Sequence, residues 1–355
     1  MASFKNYFNY TFKNSLTRFI VCLVIALLLT VVLVDVYSYE TYEYVQPDTE
    51  DTYIEGEEYK EKEENYIKVR RTSAEFSVIS FVFGTLCFFV PLMELEPFKN
   101  RRNIDTLFNL PVSKFKMGLA HYLNGLIHVV GIFTVCSVYA FFYIISKSDE
   151  LNMVKFIPYY FLMVLFGIML YSFVSFVFYQ GNTVTDGIVL VILYSFVFIL
   201  FVGVIDCFLD YKDTIDVWSY TAFSPISYVT SIYTNLIEKG DNYYYSNTET
   251  YISFVFWIII GIASIFGFLY TFAKKKAEDV GEISSTVFGY KTLIPIYAYS
   301  LLFIFQDLSF LTVLVLIAAF VGYIIYRRSI KLKKSDYLCL ALSILPILLY
   351  YIIFD

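Results

Sequence analysis

Long apolar runs dominate the pattern along the chain, separated by short polar stretches. A hydrocarbon core about 30 Å thick needs about 20 apolar residues in helical form. Runs of that kind predict membrane-spanning helices near residues 19–37, 76–93, 119–146, 156–179, 187–209, 251–273, 308–326 and 337–354, with a shorter apolar run at 292–305. The first is not a cleaved leader, because eighteen residues precede it and no small-x-small site follows. Before it, Phe4, Tyr7, Phe8, Phe12 and Phe19 share one helical face while Asn6, Asn9, Lys13 and Thr17 share the other. That pattern predicts an amphipathic helix over 1–18 lying in the membrane interface. A single overlong first membrane helix is the alternative.

Between the second and third runs stands the most polar helix-like segment, ELEPFKNRRNIDTLFNLPVSKFK over 94–116. Ile104, Leu107 and Phe108 recur at i, i+3 and i+4, Arg101, Arg102 and Asp105 fall on the other side, and Pro111 closes the run. The spacing predicts a short surface helix held against the membrane face of the protein. An ordinary basic loop is the alternative.

Composition and charge sharpen this picture. With 58% hydrophobic and 16% charged residues, an ordinary water-soluble domain is excluded. The net charge of −6 does not mark a nucleic-acid binder, because the charges are sorted along the chain rather than pooled. With the N-terminus inside, three Lys and Arg before residue 19, five in 94–118, four in 274–291 and five in 327–334 fall on the cytoplasmic side, against nine outside. Acidic residues run the other way, with Asp48 to Glu64 in one outer loop. Lys68, Arg70 and Arg71 go against the trend, but inverting the topology would expel two larger basic clusters. The run at 292–305 is read as one arm of a tight hairpin with Asp307 at its outer tip, giving nine spans, or eight if it does not cross.

Candidate chemistry is sparse. Cys22, Cys87, Cys136, Cys207 and Cys339 lie in or beside apolar runs without CxxC spacing, so neither a disulfide framework nor a metal site is expected. No GxSxG or HExxH motif occurs and no nucleophile–base pair lies in a span, which removes the common hydrolase and transferase signatures and leaves no catalytic residue to name. No glycine is followed by lysine, so there is no P-loop for ATP. Asp35, Glu75, Asp186 and Asp206 sit near span ends rather than at the midplane where a coupling ion is held. One internal polar stripe remains: His121, Asn124 and His128, on one face of the third span. Its expected role is hydrogen-bonded packing against a neighbouring helix.

The run RNIDTLFNLPVSKFKMGLAHYL resembles the cytoplasmic coupling segment of type-2 ABC-transporter permeases, through Ile104, Asp105, Leu107, Phe108, Pro111, Val112, Ser113 and Lys114. It departs at Asn103, where the family favours threonine, and upstream, where Glu94, Glu96, Lys99, Arg101 and Arg102 replace the usual Glu-Arg pair. The N-terminal amphipathic stretch is similar to the family's elbow helix, KKKAEDVGEIS to its tail after the last common span, and WSYTAFSPISYVTSIYTNL to its extracytoplasmic re-entrant helices.

The resemblance implies an all-α polytopic bundle: an elbow helix at 1–18, a six-span core at 19–290 with outer loops at 38–75 and 210–250, and extra helices at 291–355. It implies an exporter permease in a bacterial cell membrane, paired with a second copy or a paralogue. Residues Glu94, Glu96, Arg101, Arg102, Ile104, Asp105, Leu107, Phe108, Pro111, Ser113 and Lys114 would couple it to a separate ATPase subunit. ATP and Mg would be used by that partner, and this chain would bind no cofactor. The competing reading is a non-catalytic scaffold or sensor whose acidic, Tyr-rich outer loops bind an external partner.

Overall fold

A computed structural model describes residues 4–34, 36–44, 66–74, 77–147, 153–209, 247–282, 284, 286–305 and 310–354. Helix α1 (Phe4–Leu33) leads into strands β1 (Val36–Tyr44) and β2 (Tyr66–Ala74), followed by α2 (Ser77–Leu95). A single 3-10 turn (Glu96–Lys99) then joins α2 to the short α3 (Arg101–Phe108). After it come α4 (Lys114–Lys147), α5 (Met153–Gln180), α6 (Val184–Leu209), α7 (Asn247–Lys274), α8 (Tyr290–Phe305), α9 (Phe310–Arg327) and α10 (Lys334–Phe354). Seven of these helices are long and apolar enough to cross a membrane, and the chain is a polytopic membrane helical bundle.

Helix α1 runs unbroken for 30 residues along α4, so the amphipathic 4–18 stretch and the first apolar run form one continuous helix. Its positions Tyr7, Thr11, Ser15, Ala26 and Thr30 are the buried ones, turned onto α4, while large apolar side chains such as Val24, Ile25 and Val32 face outward. Over 4–19 the aromatic periodicity marks the packed side: Tyr7 is buried and Phe4, Phe8, Phe12 and Phe19 half-buried, while Asn6, Asn9, Lys13 and Thr17 are exposed. Within the outer loop at 38–75, β1 and β2 form an antiparallel ribbon in which Glu40 faces Arg70 and Tyr42 faces Lys68. Of the three cations that went against the positive-inside trend, Arg70 pairs in register with Glu40, and Lys68 and Arg71 pair with Tyr42 and Tyr39. Most of the second outer loop, 210–246, and the tip at Asp307 lie outside the described residues.

Helix α5 occupies the centre, packing against α2, α4, α6 and α7, while α1 lies outside α4. Its side chains Phe166, Tyr171, Phe173, Phe178 and Tyr179 are almost fully buried, as are Phe83 on α2 and Trp257, Phe268 and Phe272 on α7. Without a hydrophobic drive between helices in lipid, such crossings rely on close approach at small residues. A Cβ on Gly167 would fall 2.0 Å from the Phe83 ring, one on Gly261 2.3 Å from Met169 Sδ, and one on Gly118 2.7 Å from the Phe272 ring. Aromatic bulk on one helix thus sits in a glycine notch on the next.

The last three helices attach through α8, which packs on α6, and α9 and α10 pack on α8 in turn. At sixteen residues α8 is short, roughly 24 Å by helical rise, and Pro295 lies inside it. Tyr297 Oη donates to Leu193 O at 2.5 Å and Tyr290 Oη to Asp186 Oδ1 at 3.3 Å, fixing it on α6. The α9–α10 turn is closed by Arg327, whose guanidinium donates to both oxygens of the buried Asp336 at 2.8 and 2.9 Å, and Asp336 also accepts the Lys333 amide.

Overfilling the central notch gives a direct check on this packing. Gly167→Leu drives a side chain into Phe83, itself stacked on Phe133 at 3.8 Å, and is expected to destabilise the bundle by about 1–3 kcal/mol, read as a lower thermal midpoint of the purified protein.

Candidate functional site at the basic end of the bundle

Helix α3 forms where the sequence placed it. Asn100 caps it, its Oδ1 accepting the Arg102 amide at 3.1 Å. Ile104 is buried and Leu107 and Phe108 half-buried, whereas Arg101, Arg102 and Asp105 are exposed, along with Glu96, Pro111 and Ser113. The helix is therefore amphipathic in the predicted sense, seated by its apolar side with its charges outward. Lys114 opens α4: its ammonium lies 4.3 Å from the Phe108 ring and donates to Lys275 O at 2.7 Å, so it ties α3 and α4 to the end of α7.

A second segment grips α3. Arg101 Nε donates to Val280 O at 2.8 Å, and the same guanidinium lies 3.4 Å from the Glu282 carboxylate. Between those two partners Gly281 adopts φ +88°, a backbone conformation that favours glycine, and a Cβ there would lie 2.5 Å from Arg101 Nε and displace that side chain. Gly281 N in turn donates to Asn182 O in the α5–α6 turn. The exposed platform is thus α3 together with 277–282.

Beneath it, two lysines cap α5. Lys99, only 5% exposed, donates to Gly181 O and lies 4.4 Å from the Phe178 ring. Lys275 donates to Tyr179 O at 3.1 Å and to Gly181 O at 2.9 Å, and Ser284 Oγ adds a bond to Gln180 O at 2.8 Å. A helix C-terminus leaves carbonyls without intrahelical partners and carries partial negative charge, so ammonium groups suit it. Burial pulls the Lys275 ammonium down to about 8, with Asp279 drawing it partly back up.

On the other side of α2 the polar stripe of α4 finds its carboxylate. Glu94 is 2% exposed. Its Oε2 lies 3.5 Å from His121 Nδ1 and accepts Asn124 Nδ2 at 3.1 Å; its Oε1 lies 3.6 Å from His128 Nδ1 and 4.0 Å from Arg18 Nη2. Helix α1 closes the cluster, with Tyr7 Oη 3.1 Å from His121 Nε2, Ser15 Oγ 3.3 Å from His128 Nε2, and Arg18 donating to Met93 O at 2.7 Å. Among the described residues no group of three or more His, Cys, Asp or Glu is arranged to hold a metal ion. The two Nδ1 atoms flank different oxygens of Glu94, and Arg18 takes the cationic place beside it.

The residues predicted as one coupling surface therefore divide. Glu96, Arg101, Arg102, Asp105, Pro111 and Ser113 stay on the outside, Ile104, Leu107, Phe108 and Lys114 seat the helix, and Glu94 turns inward to join His121, Asn124 and His128. Sequence reasoning noted Lys99 beside the coupling segment and Lys275 and Gly281 within KKKAEDVGEIS, but missed that they meet at the end of α5 and against Arg101. It also missed Phe98, which is fully buried with its ring 4.8 Å from His121, 4.9 Å from Phe272 and 6.5 Å from Phe108. The usable signal was the single apolar residue in the charged run EPFKNRR. No family model, curated protein or solved structure matches this chain.

The lysine cap makes stability depend on pH. Because the native state releases the Lys275 proton near 8 and the unfolded chain near 10.5, the unfolded chain binds more protons between those values. Native stability is therefore expected to climb as pH rises through that window and to be lowest below it. Lys275→Met should flatten part of this climb, measured as a smaller gain in thermal midpoint between pH 8 and pH 10 than in the parent protein.

Proposed function

We propose that the chain is the membrane-spanning permease subunit of an ATP-driven ABC exporter, coupled through α3 to a separate ATP-binding cassette subunit. The observation that carries this reading is the geometry of α3. It is a capped helix joined by short connections to two membrane helices, seated by Ile104, Leu107 and Phe108, and presenting Arg101, Arg102 and Asp105 outward. A partner that pushes on such an element moves α2 and α4 together, and its nucleotide state can then bias the populations of two arrangements of the bundle.

ATP is on this reading hydrolysed by an ATP-binding cassette outside these 355 residues, in which no glycine is followed by lysine. On this reading the basic end faces the cytoplasm of a bacterial cell, and ATP and Mg are handled by the partner. A second copy or a paralogue completes the pathway, and transport runs outward. The coupling contacts are Glu96, Arg101, Arg102 and Asp105 on α3 and its approach, with Glu94 serving inside the bundle rather than at the interface.

The test is copurification of the tagged full-length chain with its native partners, followed by an ATPase assay. A P-loop ATPase is expected to come down with the parent chain. Asp105→Arg should weaken it at least tenfold, about 1.4 kcal/mol, while leaving the thermal midpoint unchanged because Asp105 is exposed. Absence of any ATPase, or equal recovery with the charge-reversed variant, contradicts the proposal and shifts attention to a partner of the β1–β2 ribbon.

A further inference from the structure

The chain contains two histidines, and both lie against the same buried carboxylate. Each imidazole presents Nδ1 to Glu94, at 3.5 and 3.6 Å, and Nε2 to a hydroxyl of α1, at 3.1 Å for Tyr7 and 3.3 Å for Ser15. Counting hydrogens at Ser15 decides what this arrangement can do. Its oxygen accepts from Asn124 Nδ2 at 2.8 Å, and its one hydrogen can go either to Phe12 O at 3.0 Å or to His128 Nε2.

When that hydrogen goes to His128, the ring is neutral, with its own proton on Nδ1 facing Glu94. When it goes to Phe12 O, His128 donates from Nε2 to Ser15 and must also carry a proton on Nδ1, since a bare nitrogen lone pair would otherwise face a carboxylate. The same alternation is open to Tyr7 and His121, because a phenol both donates and accepts. At Nε2 both states of the ring find a hydroxyl partner without moving a heavy atom, while the two Nδ1 atoms, at 3.5 and 3.6 Å from Glu94, face its charge rather than a formed hydrogen bond.

Charge limits how many protons enter. The groups facing the cluster are Tyr7, Arg18 and Cys22 on α1, Glu94 on α2, His121, Tyr122 and His128 on α4, and Tyr171 on α5. With both rings neutral, Arg18 balances Glu94. One imidazolium leaves a single excess charge beside the carboxylate; two would crowd three cations around it in a buried site. A cavity of about 10 Å³, the room needed for one water, touches Arg18, Cys22, Glu94 and His128, and Arg18 is 39% exposed, which gives a proton a short way in.

The geometry points to Glu94, His121 and His128 as a proton-binding site that takes up one shared proton from water on mild acidification, with Tyr7 and Ser15 of α1 relaying their hydroxyl hydrogens to accommodate it. The step is a transfer from hydronium to an imidazole nitrogen and changes no other bond. Two imidazoles sharing one proton titrate as a pair rather than singly. The inference stands apart from the transport reading, because it requires no partner.

Because the chain has only these two histidines, ¹⁵N-histidine labelling of the full-length protein in lipid nanodiscs reports this site alone. The expected result is conversion from neutral ring to imidazolium as pH falls, amounting to one proton over the two rings. In Glu94→Gln the imidazolium fraction at pH 6 is expected to fall about threefold, as removing a neighbouring opposite charge weakens proton binding about tenfold. The single variants His121→Asn and His128→Asn keep Glu94, and in each the remaining ring should carry about twice its parental imidazolium fraction at pH 6. Rings that stay neutral to pH 5, a Glu94→Gln titration equal to the parent's, or a remaining ring that titrates unchanged when its neighbour is replaced would each overturn the assignment.

Discussion

The last carbonyls of α5 are the point from which the basic end of this molecule is hung. α5 is the central helix of the bundle, and its C-terminus is buried under the segments that join α2 to α4 and follow α7. Unpaired carbonyls in that position would each cost the desolvation of a buried acceptor, about 1–3 kcal/mol. Lys99 and Lys275 satisfy them from two directions, and each lysine lies at the root of one half of the exposed platform, α3 in one case and 277–282 in the other. The platform is stiff because its two roots share one anchor.

The end of α2 is held on both flanks. Glu94 reaches α1 and α4 through Arg18, Asn124 and the two histidines; Lys99 reaches the α5–α6 turn. Phe98 sits between them with its ring against His121 on one side and Phe272 on the other. α3 therefore leaves the bundle from a corner that is fixed to α1, α4, α5 and α7 at once. A displacement of α3 and a change of charge beside Glu94 would act on the same few residues, because the Phe98 ring lies 4.8 Å from that of His121 and 6.5 Å from that of Phe108 on α3.

Much of this was legible in the chain, for reasons that vary by element. The long helices follow from run length alone, and α3 from the Ile104–Leu107–Phe108 spacing, because an amphipathic surface helix leaves a periodic trace. The β1–β2 ribbon and the unbroken α1 were not legible. Acidic and aromatic residues crowd the ribbon, and in the apolar half of α1 the helix buries its small side at Ala26 and Thr30 and shows Val24, Ile25 and Val32, which inverts the reading valid in water. The stripe His121–Asn124–His128 was visible as a face of α4, but its carboxylate comes from another helix. Only the three-dimensional pairing of α2 with α4 brings Glu94 to it. Lys99 and Lys275 were hidden for a related reason: a lysine near a span end reads as a charge on the membrane surface, and nothing local shows that it turns back onto a helix terminus.

The measurement that bears most directly on this account is hydrogen exchange of the full-length protein, comparing α3 with the end of α5 in the parent chain and in Lys99→Met. The account predicts that amides of 104–108 are protected alongside those of 176–181 in the parent, and that both lose protection together when Lys99 is replaced. Complete exchange of α3 at the earliest time in the parent, or loss confined to one of the two segments in the variant, would contradict it.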